Sequence, residues 1–456
     1  MCAAIAAIGL AACGSRSALY GPETRGEGGG GEGGTTTSTT GMGGTTTSSS
    51  TTSSSTTSSQ GGGGEGGGGG PPGPCGELEY ITPFVSLAGG MQPHQRTPKL
   101  AFSSDDDTRV TVGSAWQFVD TPNAPLELRR TSLSPWPDFP AGSSLGNTNK
   151  MDLDGGVSFA IAQSPGDRFA LLFADFQESP AGGLRFSADF KPAAANPPDT
   201  FLVDPDAQKA LFLSRGKSRF LYGGGFQSGS THEIRAGLVD EDLVESLFFL
   251  GCASAAPLAD AVPYLEYFFV AMANGTDAFG CDVGVPGPPS RLQIVKIQES
   301  GVVENVVEIG SKSMTDLKLA PRSDGAWLVW TDPGGEDLPP SILIGQLTTD
   351  GELAGTLEWS VPFQPGSLAI TSFEDFLALA WIQSDPEGAS PRVQVFGPDF
   401  TPLGAIEVQS AGVAKAPLSF LGSPFARQAL LAWSETVGDP DLGDQIRMTR
   451  VDCLDN

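Results

Sequence analysis

The chain has 456 residues, 26 Lys and Arg against 53 Asp and Glu, a formal net charge of −27 and a pI near 4.3. Such a surface repels phosphate backbones, which excludes nucleic acid as a natural partner. No apolar run reaches the ~18 residues a membrane-spanning helix needs, and 61 Gly with 36 Pro point to a chain rich in turns and loops.

The first predicted element is an address. Met1 to Ala12 are apolar or glycine, the pattern of a secretory signal peptide; the alternative is a buried apolar strand that ends in Cys. The run closes on Leu10-Ala11-Ala12-Cys13. This string resembles the lipobox of bacterial lipoproteins, in which the cysteine is diacylated and becomes the mature N-terminus. The resemblance implies cleavage after residue 12, lipid on Cys13, and an exported protein anchored in a membrane. Gly14, in place of Asp, resembles lipoproteins sent to the outer membrane.

Residues 13–75 then read as a tether. Between Gly26 and Gly70, 40 of 45 residues are Gly, Ser or Thr, too little apolar surface to offset chain entropy. The expected reach of such a coil is about 35–40 Å.

Four cysteines remain beyond Cys2 and Cys13: Cys75, Cys252, Cys281 and Cys453. An even number in an exported chain argues for two disulfides, and the favoured pairing is Cys252–Cys281 with Cys75–Cys453. The second would close nearly the whole folded region and contribute about 5 kcal/mol in the chain-entropy model. Zinc is the alternative, disfavoured because no C-x-x-C occurs and only His94 and His232 are available.

Residues 76–456 read as a repeat array. An apolar run, an acidic Gly/Pro loop and an alternating run recur in GAWLVWTDPGGED, FLALAWIQSDPEG and ALLAWSETVGDPD, anchored at Trp330, Trp381 and Trp433. The runs that follow, SILIGQLT, RVQVFGPD and QIRMTRVD, have the length and alternation of half-buried antiparallel strands. Weaker echoes place Ala115, Ala174, Gly224 and Ala273 at the anchor, for a mean period of 53 residues. A strand-rich unit of that length predicts an all-β propeller of about seven four-stranded blades, with six or eight as alternatives. Glu77 to Ile81 is expected to pair with Gln445 to Val451 and close the ring, because an open ring leaves edge strands unpaired. Residues 239–250, VDEDLVESLFFL, fit a short helix or a strand with a loop. The aliphatic-Ala-Trp run before an acidic loop resembles the loosely defined propeller repeats of secreted bacterial proteins. That resemblance implies an architecture and no activity.

Chemistry is sparse in one dimension. Ser230 and His232 share a strand face but lack a nucleophile elbow, and His94 sits in a Pro-flanked loop. A glycosidase-type carboxylate pair cannot be read from spacing. The Asp-box of sialidase-like propellers finds its nearest match in Ser323-Asp324-Gly325-Ala326-Trp327, which fails the spacing. Arg185, Arg215, Arg235 and Arg291 are candidates for an axial arginine cluster. Calcium, the best ligand guess, suits the carboxylate turns at Asp105-Asp106-Asp107, Asp152 and Asp154, and Asp439, Asp441 and Asp444, which also read as solvated acidic loops. Trp330, Trp381 and Trp433 read as packing between blades; Trp116 and Trp359 are less regular, and Trp136, in a Pro-flanked loop, is the aromatic candidate for ligand contact.

The reading that results is a surface lipoprotein displaying a non-catalytic propeller that binds an envelope protein or glycan. Its alternatives are an exported propeller hydrolase or lyase acting on carbohydrate, and a passive structural component of the envelope.

Overall fold

The computed structural model describes residues 75–80, 85–86, 95–106, 109–118, 126–133, 148–151, 159–164, 168–175, 183–190, 201–204, 208–228, 231–240, 244–274, 291–310, 314–334, 339–385, 388–410, 412–423, 427–436 and 444–455. The chain divides into units Met1–Gly68 and Gly69–Asn456, and every described residue lies in the second.

All regular structure among the described residues is β. Strands β1 (Cys75–Tyr80) and β2 (Val85–Ser86) come first. β3 (Gln95–Asp106), β4 (Arg109–Phe118), β5 (Leu126–Leu133) and β6 (Thr148–Met151) form an antiparallel sheet in chain order. β7 (Phe159–Ser164), β8 (Arg168–Asp175), β9 (Gly183–Phe190) and β10 (Phe201–Asp204) repeat it. A seven-stranded sheet follows: β11 (Gln208–Arg215), β12 (Phe220–Ser228), β13 (Thr231–Val239), β14 (Val244–Tyr264), β15 (Tyr267–Asn274), β16 (Arg291–Gln298) and β17 (Val303–Gly310). Two more four-stranded sheets are β18 (Leu317–Arg322), β19 (Gly325–Asp332), β20 (Ser341–Thr348) and β21 (Leu353–Ser360), then β22 (Ala369–Phe373), β23 (Phe376–Asp385), β24 (Gly388–Phe396) and β25 (Pro402–Glu407). The last sheet holds β26 (Val413–Gly422), β27 (Gln428–Thr436) and β28 (Asp444–Asp455), and takes in β1 and β2 beside β28.

The sheets close into a ring. The strands β3, β7, β11, β14, β18, β22 and β26 pack each against the next, and β26 packs back against β3. This circuit of inner strands makes the fold a β-propeller. The closure runs through β1, whose Leu78 stands opposite Cys453 and Tyr80 opposite Val451, so the last sheet is completed by the first strand.

One expectation is corrected. Hydrogen bonding gives six sheets, of which one has seven strands and the last has five, rather than seven separate four-stranded ones. The reason is β14, which is 21 residues long. Its first part, from Val244 to Cys252, pairs with β13, and its second part, from Leu258 to Tyr264, pairs with β15. Of the two readings of residues 239–250, the described residues take the strand: Val239 ends β13 and residues 244–250 begin β14.

The anchor series lies on the second strands. Ala115, Ala174, Gly224, Ala273, Trp330, Trp381 and Trp433 fall on β4, β8, β12, β15, β19, β23 and β27. These strands read as unbroken apolar runs because both faces are covered: β19 is buried at every residue but its last. The outer strand β21 alternates instead between half-buried and exposed positions. Between β20 and β21, the Gly351 amide donates to the Thr348 carbonyl at 2.8 Å and closes a turn over Thr349 and Asp350, with Gly351 at φ +83°, where glycine carries no Cβ penalty.

The core is a series of wedges between neighbouring sheets. Trp330 packs with Phe269 and Leu292 of the sheet before it. Trp327 and Val329, on the other face of β19, pack with Leu377 and Trp381 of the sheet after it. Trp433 packs with Ala378, Ala380 and Ile382. Polar links follow the same period. The Gly422 amide donates to Thr371 Oγ1 at 2.7 Å, 51 residues away, and the Ser323 amide donates to Asp375 Oδ1 at 3.1 Å, 52 residues away. Asp316 accepts the amides of Gly366 and Leu368 at 2.8 and 3.3 Å. Burial outweighs these bonds and pushes its carboxyl above the ordinary range.

Candidate functional site

The inner strands enclose a cavity on the ring axis, with a volume of about 780 Å³. Every member of the circuit contributes to its lining: Leu100 and Ala101 from β3, Ile161 to Gln163 from β7, Leu213 to Arg215 from β11, Pro263 from β14, Pro321 from β18, Thr371 to Phe373 from β22, and Leu421 and Gly422 from β26. Glu374, Ser423 and Arg427, just past the strand ends, complete it. Pro263 and Pro321 suit this place, because an inner strand presents one unpaired edge to the axis and proline has no amide to leave unbonded there. At Gly422 the neighbouring strand is close: a Cβ would lie 2.6 Å from Thr371 Oγ1 and 2.8 Å from the Ser372 carbonyl oxygen.

Charge in the cavity comes from three lining side chains. Arg427 Nη2 is 3.5 Å from Glu374 Oε2. Its guanidinium carbon lies 5.3 Å from the centre of the Phe376 ring, and its carbonyl accepts the Cys453 amide at 2.9 Å. The Arg215 guanidinium carbon lies 6.0 Å from the centre of the Phe220 ring. Glu374 sits in the β22–β23 turn at φ +54°. Further along the same inner strands come Lys99, Lys318 and Asp260. Asp260 Oδ2 accepts the Leu319 amide at 2.9 Å and Oδ1 the Ala261 amide at 3.0 Å. Desolvation first, and then the Lys318 charge, lower the Lys99 ammonium to about 8 against the opposing pull of Asp260.

Of the arginines singled out by sequence, Arg215 reaches the cavity. Arg235 pairs with Glu233 at 2.8 Å and Arg291 with Glu308 at 2.9 Å, both away from the lining. Arg185 stands on β9 opposite Phe173 and Leu202. His232 stands on β13 opposite Gln227; Ser230 and His94 lie outside the described residues. Asp444 is buried, and its carboxylate takes Lys415 Nζ and Thr436 Oγ1, each at 2.7 Å. Asp439, Asp441, Asp152, Asp154, Asp107, Trp136, Cys13 and Cys281 lie outside the described residues. Among those described, no three His, Cys, Asp or Glu side chains gather as a metal site. Trp330, Trp381 and Trp433 are buried, and Trp359 packs edge-on against Trp381 with ring centres 5.0 Å apart.

Sequence reasoning missed Lys99, Lys318, Asp260, Glu374 and Arg427. All five lie on or beside the first strand of a repeat or the turn after it, each in a different repeat, and no spacing along the chain groups them.

No family model matches the chain, and no curated protein sequence matches it. Among solved structures it is similar to a subtype N10 neuraminidase-like protein from a little yellow-shouldered bat strain, at 10% identity over 64% of this chain and 93% of that one, with a TM-score of 0.41. It is similar also to an acylaminoacyl peptidase of Pyrococcus horikoshii, at 10% identity over 78% of this chain and 51% of that one, with a TM-score of 0.44.

Proposed function

We propose that the chain is a membrane-anchored lipoprotein whose propeller binds a ligand in its axial cavity and does not transform it. The observation that carries this reading is the cavity itself. It is built by every inner strand, and its size falls in the ~300–1,000 Å³ range of small-ligand sites. Aliphatic walls alternate there with hydroxyl, amide and charged groups, the mixture that binds and orients a ligand. The partner belongs to the envelope, as a glycan or the exposed part of a protein. Counted by inner strands, with β14 serving two sheets, the propeller has seven blades. The pairing Cys75–Cys453 belongs to the same proposal. It is supported by the register, which sets Cys75 opposite Asp455 and Leu78 opposite Cys453, and by the fact that neither Cys252 nor Cys453 is a free thiol. Cys252–Cys281 is the companion bond.

The test is retention. The full chain is immobilised and challenged with glycans and proteins of an envelope extract, beside Gln163→Trp, which fills the cavity. A ligand held by the parent and lost from a variant of equal melting temperature supports the reading. Equal retention by both, or chemical conversion of the retained ligand, overturns it. Cys13→Ser is expected to abolish labelling with a palmitate analogue in cells.

A further inference from the structure

The whole chain carries 53 acidic against 26 basic residues. The axis reverses that balance. Arg215 and Arg427 line the cavity with Glu374, and Lys99 and Lys318 stand on the same inner strands with Asp260. Two guanidinium groups therefore line the cavity beside one carboxylate in a molecule whose net charge is −27. An acidic surface with a cationic shaft turns anions away everywhere but at the shaft, where low-dielectric walls focus the field. Nothing in folding requires this arrangement. Two arginines that ring closure gathers at one axial cavity mark a binding site.

The rest of the lining narrows the class of anion. Leu100, Ile161, Leu213, Phe373 and Leu421 give the cavity apolar walls, which a fully hydrated inorganic anion does not use. A guanidinium presents two parallel donors that match a carboxylate.

We infer that the axial cavity binds a small organic acid, with its carboxylate at the Arg427 and Arg215 guanidinium groups and its body against the aliphatic wall. The inference rests on the axial cavity being the ligand site proposed above, and adds the chemical class.

The experiment is calorimetric titration of the full chain with glucuronate and hexanoate, their methyl esters, and inorganic phosphate. Arg427→Met, Arg215→Met, Gln163→Trp and the off-axis control Arg291→Met accompany the parent. The expected result is that at least one acid binds and its ester does not. Each axial arginine variant then raises Kd about tenfold or more, Arg291→Met leaves it unchanged, and added salt weakens binding. An acid and its ester binding equally, with Gln163→Trp abolishing both, overturns the anion class and leaves the cavity reading standing. Phosphate binding as tightly as the acids overturns the organic-acid assignment. Binding that survives Gln163→Trp overturns the cavity reading together with the inference. No heat with any probe, from a chain that melts cooperatively, overturns the inference as well.

Discussion

The sheet of β22–β25 and the first part of the seven-stranded sheet, β11–β14, solve one packing problem in opposite ways. A propeller leaves a wedge between neighbouring sheets that rings fill well. In β22–β25 the second strand supplies the ring itself: Trp381 on β23 faces the preceding sheet and meets Trp359 edge-on. In β11–β14 the second strand reads Gly223-Gly224-Gly225 around the anchor, and the rings come from other positions, Phe212 on β11 and Tyr222 on β12 itself. Phe212 lies where a Cβ on Gly223 would be, 2.2 Å from its Cζ. Tyr222 covers Gly237 in the same way, 2.4 Å from its Cζ. Glycine there is the imprint of a neighbour's ring. The repeat therefore conserves a filled volume from sheet to sheet, and not a residue type.

The largest test of that comparison is Trp433→Ala. The side chain is fully buried and its indole N–H donates to Glu435 at 3.3 Å. Its loss is expected to cost about 3–5 kcal/mol in denaturant unfolding. A cost under about 1 kcal/mol would show that the wedge is not filled by the anchor.

Asp316→Ala separates packing from polar linkage. It leaves the amides of Gly366 and Leu368 without their carboxylate, for an expected loss of about 2–3 kcal/mol. A neutral outcome would mean that the sheets are held by their apolar wedges alone.

Gly223→Ala sharpens the glycine side of the comparison. Its methyl would meet Phe212 and, at 2.5 Å, the Arg235 carbonyl oxygen. The expected cost is about 1–3 kcal/mol, partly recovered by Phe212→Leu; no recovery would point to the backbone contact as the whole cause.

Lys99→Met has the opposite sign. Lys99 titrates near 8 in the fold and near 10.5 when unfolded. Between those values the unfolded chain binds more protons, so the parent gains stability as pH rises through the window. The variant is expected to melt higher than the parent below pH 8, with the difference shrinking toward pH 10.5. A gap independent of pH would mean that the ammonium is not what the site strains against.

What the sequence shows and hides follows from the same packing. Trp330, Trp381 and Trp433 are legible because a bulky residue recurs at one position of a doubly covered strand. The glycine sheet is faint because its rings sit on Phe212 and Tyr222, off the anchor. The helix considered at residues 239–250 arises from an outer strand: Leu247 and Phe249 are 49% and 60% exposed, so apolar residues appear on both faces and the period of two is lost. The axial charges are invisible in one dimension, because each comes from a different repeat and only ring closure brings them together.

The pairing of β1 with β28 also has a consequence in time. β1 and its partner β28 stand nearly the whole ring apart in sequence. Each intermediate sheet forms from strands close in sequence, yet the closing sheet needs two segments far apart in the chain, and β1 stays exposed to wrong partners until β28 reaches it. Loss of a few C-terminal residues would therefore remove the seam that holds the beginning of the domain.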